Sequence, residues 1–271
     1  MSNPETDLHE RVLAQLGPAI VAGDTRPGDV LRIEELEHHF RVSRTVIREV
    51  VRVLDSMNLV STRRRVGVTV RPPAEWNVFD PRVIRWRLSG TDRIGQLRSL
   101  SQLRAGVEPI AAGLAAEHAR PEHCGALTAA IVGLSVSGKR GDLEGYVHHD
   151  IDFHRTLLSA SGNEMFASLG DVVAEVLTGR AKYRLMPEPP EAEAIRLHIV
   201  VADAIQSGNR RVAEEAMRTI VAKADTILET MSPGGSVSDP HAPDAASEPT
   251  RQAESPVDAP STPTRVRADR P

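Results

Sequence analysis

The chain has 271 residues, 40% of them hydrophobic, with 33 basic against 37 acidic side chains and a formal net charge of −4. That length and apolar content support a sizeable core and two domains, and the charge excludes a generally basic protein. Aromatic residues make up only 3%, which argues against single-strand binding by base stacking. Cys124 is the single cysteine, read as a small packed residue; no intrachain disulfide is possible and a reducing compartment is expected. Met1 to Asp7 is polar and acidic, without the profile of a signal peptide. No apolar run approaches the roughly 20 residues that cross a bilayer. A soluble, cytoplasmic protein with no membrane partner is expected.

Leu8, Val12, Leu16 and Ile20 mark a first amphipathic helix by their fourfold spacing, with Pro18 awkwardly inside it. Gly23-Asp24 stops that helix and Pro27-Gly28-Asp29 turns the chain. Ile33 to Phe40 reads as a second helix, and Ser43 is a good N-cap for a third. Wound at roughly 100° per residue, Arg44, Arg48 and Arg52 of that third helix share one face. Val46, Ile47, Val50, Val51 and Leu54 cluster on the other. Such an arginine row is either a solvated face or a row of guanidinium forks for phosphates and guanine edges. Its surroundings favour the second reading. Between Arg41 and Arg71 the bases Arg41, Arg44, Arg48, Arg52, Arg63, Arg64, Arg65 and Arg71 face only Glu49 and Asp55. After Asn58 the period becomes two, with Val66, Val68 and Val70 alternating, which predicts a small hairpin tipped by Arg63-Arg64-Arg65. Three helices and a basic hairpin describe a winged helix-turn-helix, assigned to residues 1–72.

The run Pro27-Gly28-Asp29-x-Leu31, Glu35-Leu36, Val42-Ser43-Arg44-Thr45-x-x-Arg48-Glu49-x-x-Arg52-x-Leu54, Leu59-Val60 and Gly67 resembles the DNA-binding domain of GntR-superfamily bacterial regulators. The resemblance implies base and phosphate contacts from Arg32, Arg44, Arg48 and the backbone near Gly67, with Ser43 and Thr45 on phosphates.

Pro72-Pro73 closes the first domain. A linker, 73–91, holds both tryptophans, Trp76 and Trp86, expected to anchor it on the second domain. From 92 to 231 the chain reads as an antiparallel bundle of six or seven helices, mainly α throughout. Leu97, Leu100, Leu103, Val107, Ile110 and Leu114 form one apolar stripe. Further helices are predicted at 122–138, 142–160, 164–184, 192–207 and 209–231, with a break from Pro187 to Pro190. Residues 232–271, rich in Pro, Ser, Ala and Asp, predict a disordered tail.

Within the bundle Asp150 and His154, four apart, share a helix face. That spacing suits two ligands of one metal, and equally a hydrogen bond or surface ion pair. His198, in the apolar run Leu197-His198-Ile199-Val200-Val201, is the third candidate ligand or else a satisfied core histidine. Arg104-x-x-x-Glu108-Pro109, Asp150-x-x-Phe153-His154, Gly162-Asn163, and His198 followed by Ala204-Ile205 and Gly208-Asn209 resemble the FadR C-terminal-type (FCD) effector domain attached to many GntR regulators. In its metal-dependent members one aspartate and three histidines hold a divalent cation below the ligand pocket. Asp150, His154 and His198 match three of those positions, and Ile220 stands at the fourth. The resemblance therefore implies a divalent ion of the Zn, Ni or Mn type, in a sphere one protein ligand short. Together with the tryptophan linker, these features look most like the sugar-acid-responsive repressor branch, which answers to hexonates such as galactonate and gluconate. Arg104 is then expected to pair with a ligand carboxylate, its alternative being an ion pair to Glu108. Tyr183 and Arg184 are placed within reach of a polyol.

The reading is a dimeric, ligand-responsive transcription regulator, a repressor of a sugar-acid catabolic operon, that binds double-stranded inverted-repeat DNA and is not an enzyme. Two alternatives remain from the sequence: a metalloenzyme-like domain fused to a DNA-binding head, and an acyl-chain sensor with a dry pocket. An obvious additional general base is missing near the first, and the second would have a dry pocket lined by Asp150, His154, His198 and Arg104.

Overall fold

The computed structural model describes residues 4–63, 67–186 and 192–230. The expected tail at 232–271, the wing tip at Arg64 and Arg65, and the break from Pro187 to Pro190 lie outside the described residues.

Helix α1 (Pro4–Ala22) runs through Pro18 and buries Val12, Leu13, Leu16 and Ile20. Its face meets α3 (Arg44–Ser56), whose Val46, Ile47, Val50, Val51 and Leu54 point inward as the period predicts. Each such side chain contributes about 1.5–3 kcal/mol of transfer free energy. The Ser43 hydroxyl accepts from the Val46 N–H at 3.4 Å and caps α3. Between them lies α2 (Ile33–Phe40), closed by Arg41 in the left-handed region at φ 54°.

The hairpin forms from β2 (Val60–Arg63) and β3 (Gly67–Val70), antiparallel with Val60 opposite Val70 and Arg63 opposite Gly67. Val68 and Val70 face the core, as their alternation requires. A third strand, β1 (Val30–Leu31), pairs with the other edge of β3, giving the order β1-β3-β2. Two residues cannot show a period, so β1 read as the end of the Pro27 turn.

After a 3-10 turn at Pro73–Glu75, the linker forms α4 (Pro81–Ser89), capped by the Asp80 carboxylate accepting from the Arg82 and Val83 N–H groups. Asp-Pro is a helix-start signal that the sequence carried openly. The tryptophans anchor the linker on the N-terminal core, not on the helical domain as expected. Trp76 is buried there, with its indole N–H on the Arg71 carbonyl at 3.0 Å. Trp86 packs over Gly17, where a Cβ would come within 2.3 Å of the ring. An amphipathic helix between two domains has a face for each, and here the opposite one, Ile84 and Leu88, joins Leu97, Leu100, Val172 and Val176.

The remaining helices are α5 (Arg93–His118), α6 (Pro121–Arg140), α7 (Leu143–Ala160), α8 (Glu164–Ala167), α9 (Gly170–Lys182), α10 (Ala192–Gln206) and α11 (Arg210–Thr230). They enclose a core around Leu127, Phe153, Leu157, Val201 and Met217. The single helix expected over 164–184 is split at Ser168-Leu169. The Ser168 hydroxyl takes the Met165 carbonyl, and Gly170 is a poor helix former at the restart. No helix among the described residues is long and apolar enough to cross a membrane.

Candidate nucleic-acid interface and effector pocket

On α3 the side chains of Arg44, Arg48 and Arg52 are exposed, with Ser43 and Thr45 beside them at the N-terminus. Arg44 lies 3.0 Å from Glu34, Arg52 contacts Glu49, and Arg32, just before α2, lies 3.2 Å from Glu35. Exposed pairs of this kind contribute little and open readily. Arg48 has no ion pair among the described residues. Gly67 opens β3 at φ +108°, a conformation that L side chains rarely adopt, and a Cβ there would meet Val30 at 3.1 Å. The exposed arginines of α3 give a basic, water-facing surface of the kind that reads a major groove.

The bundle encloses a cavity of about 360 Å³ lined by side chains from α5, α7, α9, α10 and α11. Arg104 of α5, Asp150 and His154 of α7, His198 of α10 and Ile220 of α11 all line it. The structure therefore brings together four of the polar residues singled out in the sequence. Asp150, His154 and His198 are nearly fully buried and each offers an atom to a common point. Asp150 Oδ1 is 3.1 Å from His198 Nε2 and 3.6 Å from His154 Nε2.

The protons in this cluster can be placed by elimination. His198 Nδ1 lies 2.7 Å from the Ala194 carbonyl, which only accepts, so Nδ1 carries the hydrogen. In the neutral ring Nε2 then presents a bare lone pair to the Asp150 carboxylate. Both His198 Nε2 and Asp150 Oδ1 are buried without a hydrogen bond. Burial pushes the Asp150 carboxyl up; with His198 protonated at Nε2 as well, its hydrogen bond and charge, together with the charges of His154 and Arg104, outweigh burial and hold the group below its usual range. His154 Nδ1 lies 3.0 Å from Glu108 Oε2, off the line of a good hydrogen bond, while Arg104 Nη2 reaches its Nε2 only at 3.4 Å.

The donor set fits a divalent cation. Ligand atoms at metal bond lengths of about 2.1 Å stand roughly 3–3.4 Å apart; the Asp150–His198 separation of 3.1 Å matches, and the 3.6 Å from Asp150 to His154 would have to close slightly. The Ala194 carbonyl behind His198 is the kind of outer partner that orients a ligating imidazole, and the Glu108 carboxylate stands 3.0 Å behind His154 Nδ1. Ile220 lines the same cavity with carbon only.

Arg104 is engaged by Glu108 at 2.7 and 3.1 Å, a two-point pair with both side chains buried. Burial would raise Glu108, but Arg104 and His154 bring it down to about 2. Tyr183 and Arg184 do not line the cavity, which corrects their placement. The α9 helix ends at Lys182, and Tyr183 turns its hydroxyl to Ser89 and its ring under Arg93, leaving Arg184 exposed at φ 56°. Sequence reading missed Arg180 and Lys223, which do line it. One signal for Arg180 was its place one turn after Leu177, on the same face of α9.

A winged helix-turn-helix joined to a helical domain, with a half-open pocket that holds the Asp150–His154–His198 cluster, is the architecture of a DNA-binding regulator. Residues 8–70 match the gntR family of bacterial regulatory proteins, and residues 99–223 match the FCD domain. It is similar to the galactonate operon transcriptional repressor of Escherichia coli K12, at 28% identity over 225 residues, 82% of this chain and 97% of that protein. It is also similar to the transcriptional repressor NanR of Salmonella enteritidis PT4, at 27% identity over 225 residues, 78% of this chain and 81% of that one. Among solved structures, Lar, which controls expression of the Listeria monocytogenes agr system, shares the fold at 16% identity and a TM-score of 0.53, covering 86% of this chain and 99% of Lar. Both domains and these relatives are transcription regulators, not enzymes.

Proposed function

We propose that this regulator is a homodimeric repressor of a sugar-acid catabolic operon. Its effector is a 2-hydroxy acid, a hexonate such as galactonate, held in the α5–α11 cavity together with a divalent cation. The observation that carries this reading is the pair of buried, unsatisfied acceptors, His198 Nε2 and Asp150 Oδ1, facing each other at 3.1 Å. Two lone pairs so placed call for a positive charge between them. Asp150, His154 and His198 would hold the cation, and Ile220 leaves its sphere short of one protein ligand. A bound cation supplies Lewis-acid positions for a carboxylate and its adjacent hydroxyl. Arg104, fixed by Glu108, stands in the same cavity wall. The name of one relative, the galactonate operon transcriptional repressor, supports the substrate class.

On the DNA side, Arg32, Ser43, Arg44, Thr45 and Arg48 with the backbone at Gly67 would meet a half-site, and two chains an inverted repeat. Ligand would bind one arrangement of the heads better than the other and shift the population. Calorimetry with galactonate, with and without chelator, tests the pocket. Affinity is expected to fall at least about tenfold on chelation, since each ligand raises the other's affinity by the same factor. Equal affinity in both conditions, with no metal in untreated protein by elemental analysis, would reduce His154 and His198 to polar walls.

A further inference from the structure

One charged group in the cavity has no partner of opposite charge. Arg180 lines the pocket from α9, is only 5% exposed, and forms no ion pair among the described residues. Its Nε lacks any hydrogen bond, and one Nη reaches the Leu185 carbonyl at a long 3.4 Å. The other buried charges of the wall are compensated. Arg104 spends Nε and Nη2 on Glu108, and Asp150 faces the two histidines. Burial and the repulsion of Arg104 bring Arg180 down to about 10, with Asp150, Asp225 and Glu108 opposing at a distance. At neutral pH it is still a cation.

A buried, unpaired guanidinium destabilises the empty pocket, and a leucine or methionine would pack the same wall without that cost. An arginine makes sense there when an anion arrives. The charge balance says how many anionic groups are needed. The Arg104–Glu108 pair is neutral. Among the buried groups, a divalent cation on Asp150 leaves one positive charge and Arg180 adds a second; Lys223, which also lines the cavity, is exposed. A monoacid chelated at the cation site would leave Arg180 buried and unanswered.

We propose that Arg180 receives a second acidic group of the effector, so that the preferred ligand carries two acidic groups: a 2-hydroxy carboxylate at the Asp150–His154–His198 end and a further carboxylate or phosphate in the fork of Arg180. This rests on the cation-site reading above and narrows its ligand class from sugar acids to diacids of that kind. The cavity volume of about 360 Å³ lies within the range of small-molecule sites.

The test is calorimetry on the full metal-loaded chain with galactonate, galactarate, 6-phosphogluconate and neutral galactitol, repeated on Arg180→Gln and Arg180→Met. A diacid is expected to bind at least about tenfold more tightly than galactonate. Both variants should erase that preference, weakening the diacids at least about tenfold more than galactonate. The two diacid arms decide between carboxylate and phosphate. Ligand-free Arg180→Met should melt at or above the parent, because an uncompensated buried charge has been removed; a clear drop would assign Arg180 a structural role and overturn the proposal. Equal binding of galactonate and both diacids by the parent would overturn it while leaving the hexonate reading intact. So would loss of galactonate binding in Arg180→Gln, which puts a monoacid's own carboxylate on Arg180. If the parent binds none of the acids, both readings fall together.

Discussion

On α3, Arg44, Arg48 and Arg52 stand in water, either unpaired or in exposed pairs with Glu34 and Glu49. In the helical domain Arg104 and Arg180 are at least 95% buried, one locked to Glu108 and the other facing a cavity. The same side chain is cheap to keep in the first place and expensive in the second. An exposed guanidinium keeps its hydration until a phosphate replaces it, so the DNA face needs no internal counter-charge. A buried one must be compensated by the fold or by a ligand. The contrast separates the two ends by the kind of free energy each controls: binding on α3, stability and ligand choice in the pocket.

The sharpest way to break that contrast is at Glu108. Glu108→Ala leaves Arg104 buried without its carboxylate and is expected to cost about 3–5 kcal/mol in denaturant unfolding. Replacing both partners, Arg104→Met with Glu108→Met, should recover most of that loss, because two hydrophobic side chains of similar volume need no counter-charge. A single variant that unfolded like the parent would mean that the pair is solvated.

At Arg48 the effect should move from stability to binding. Arg48→Ala is expected to change unfolding by no more than about 0.5 kcal/mol. It should weaken a promoter-fragment mobility shift by about 1–3 kcal/mol if a base contact is lost, relaxing specificity there. If Arg48 touches phosphate instead, the salt slope falls by about one. Unchanged shifts in both Arg44→Ala and Arg48→Ala would remove α3 from the interface.

These two predictions mirror what could be read from the residues alone. The α3 face was legible because exposure, helical period and capping are all local: Ser43, the five inward apolar residues and the three outward arginines lie within one short segment. The Asp150–His154 pair was legible for the same reason, one helical turn on one helix. What joins α5, α7, α9 and α10 was not. Nothing local states that the guanidinium of Arg104 meets Glu108 and His154 at once, or that Arg180 faces no carboxylate. Those facts arise from how distant helices pack. The wing's third strand was too short to show a period, and the tryptophans revealed an anchor without revealing which side it holds.

The smallest expected effect lies between the two regions, at the pair that links α4 to α9. Arg85 donates Nε to Glu175 Oε2 at 3.0 Å and a second hydrogen to Oε1. Glu175 is nearly buried while Arg85 is mostly exposed, so the pair contributes modestly to stability. Its position is what matters. Arg85 sits on the helix whose Val83 and Trp86 grip the DNA-binding core, and Glu175 on the helix that carries Arg180 into the pocket. A shift of α9 on ligand binding would reach α4 through this contact and through the Ile84, Leu88, Val172 and Val176 cluster. Glu175→Gln keeps the shape and removes the charge. It is expected to leave ligand affinity and ligand-free operator affinity within about threefold. The ratio of operator affinities without and with saturating galactonate should shrink by about 0.5–2 kcal/mol. An unchanged ratio would leave the apolar contact between α4 and α9 to carry the coupling, and an Ile84→Ala variant, which truncates that contact, should then reduce it instead.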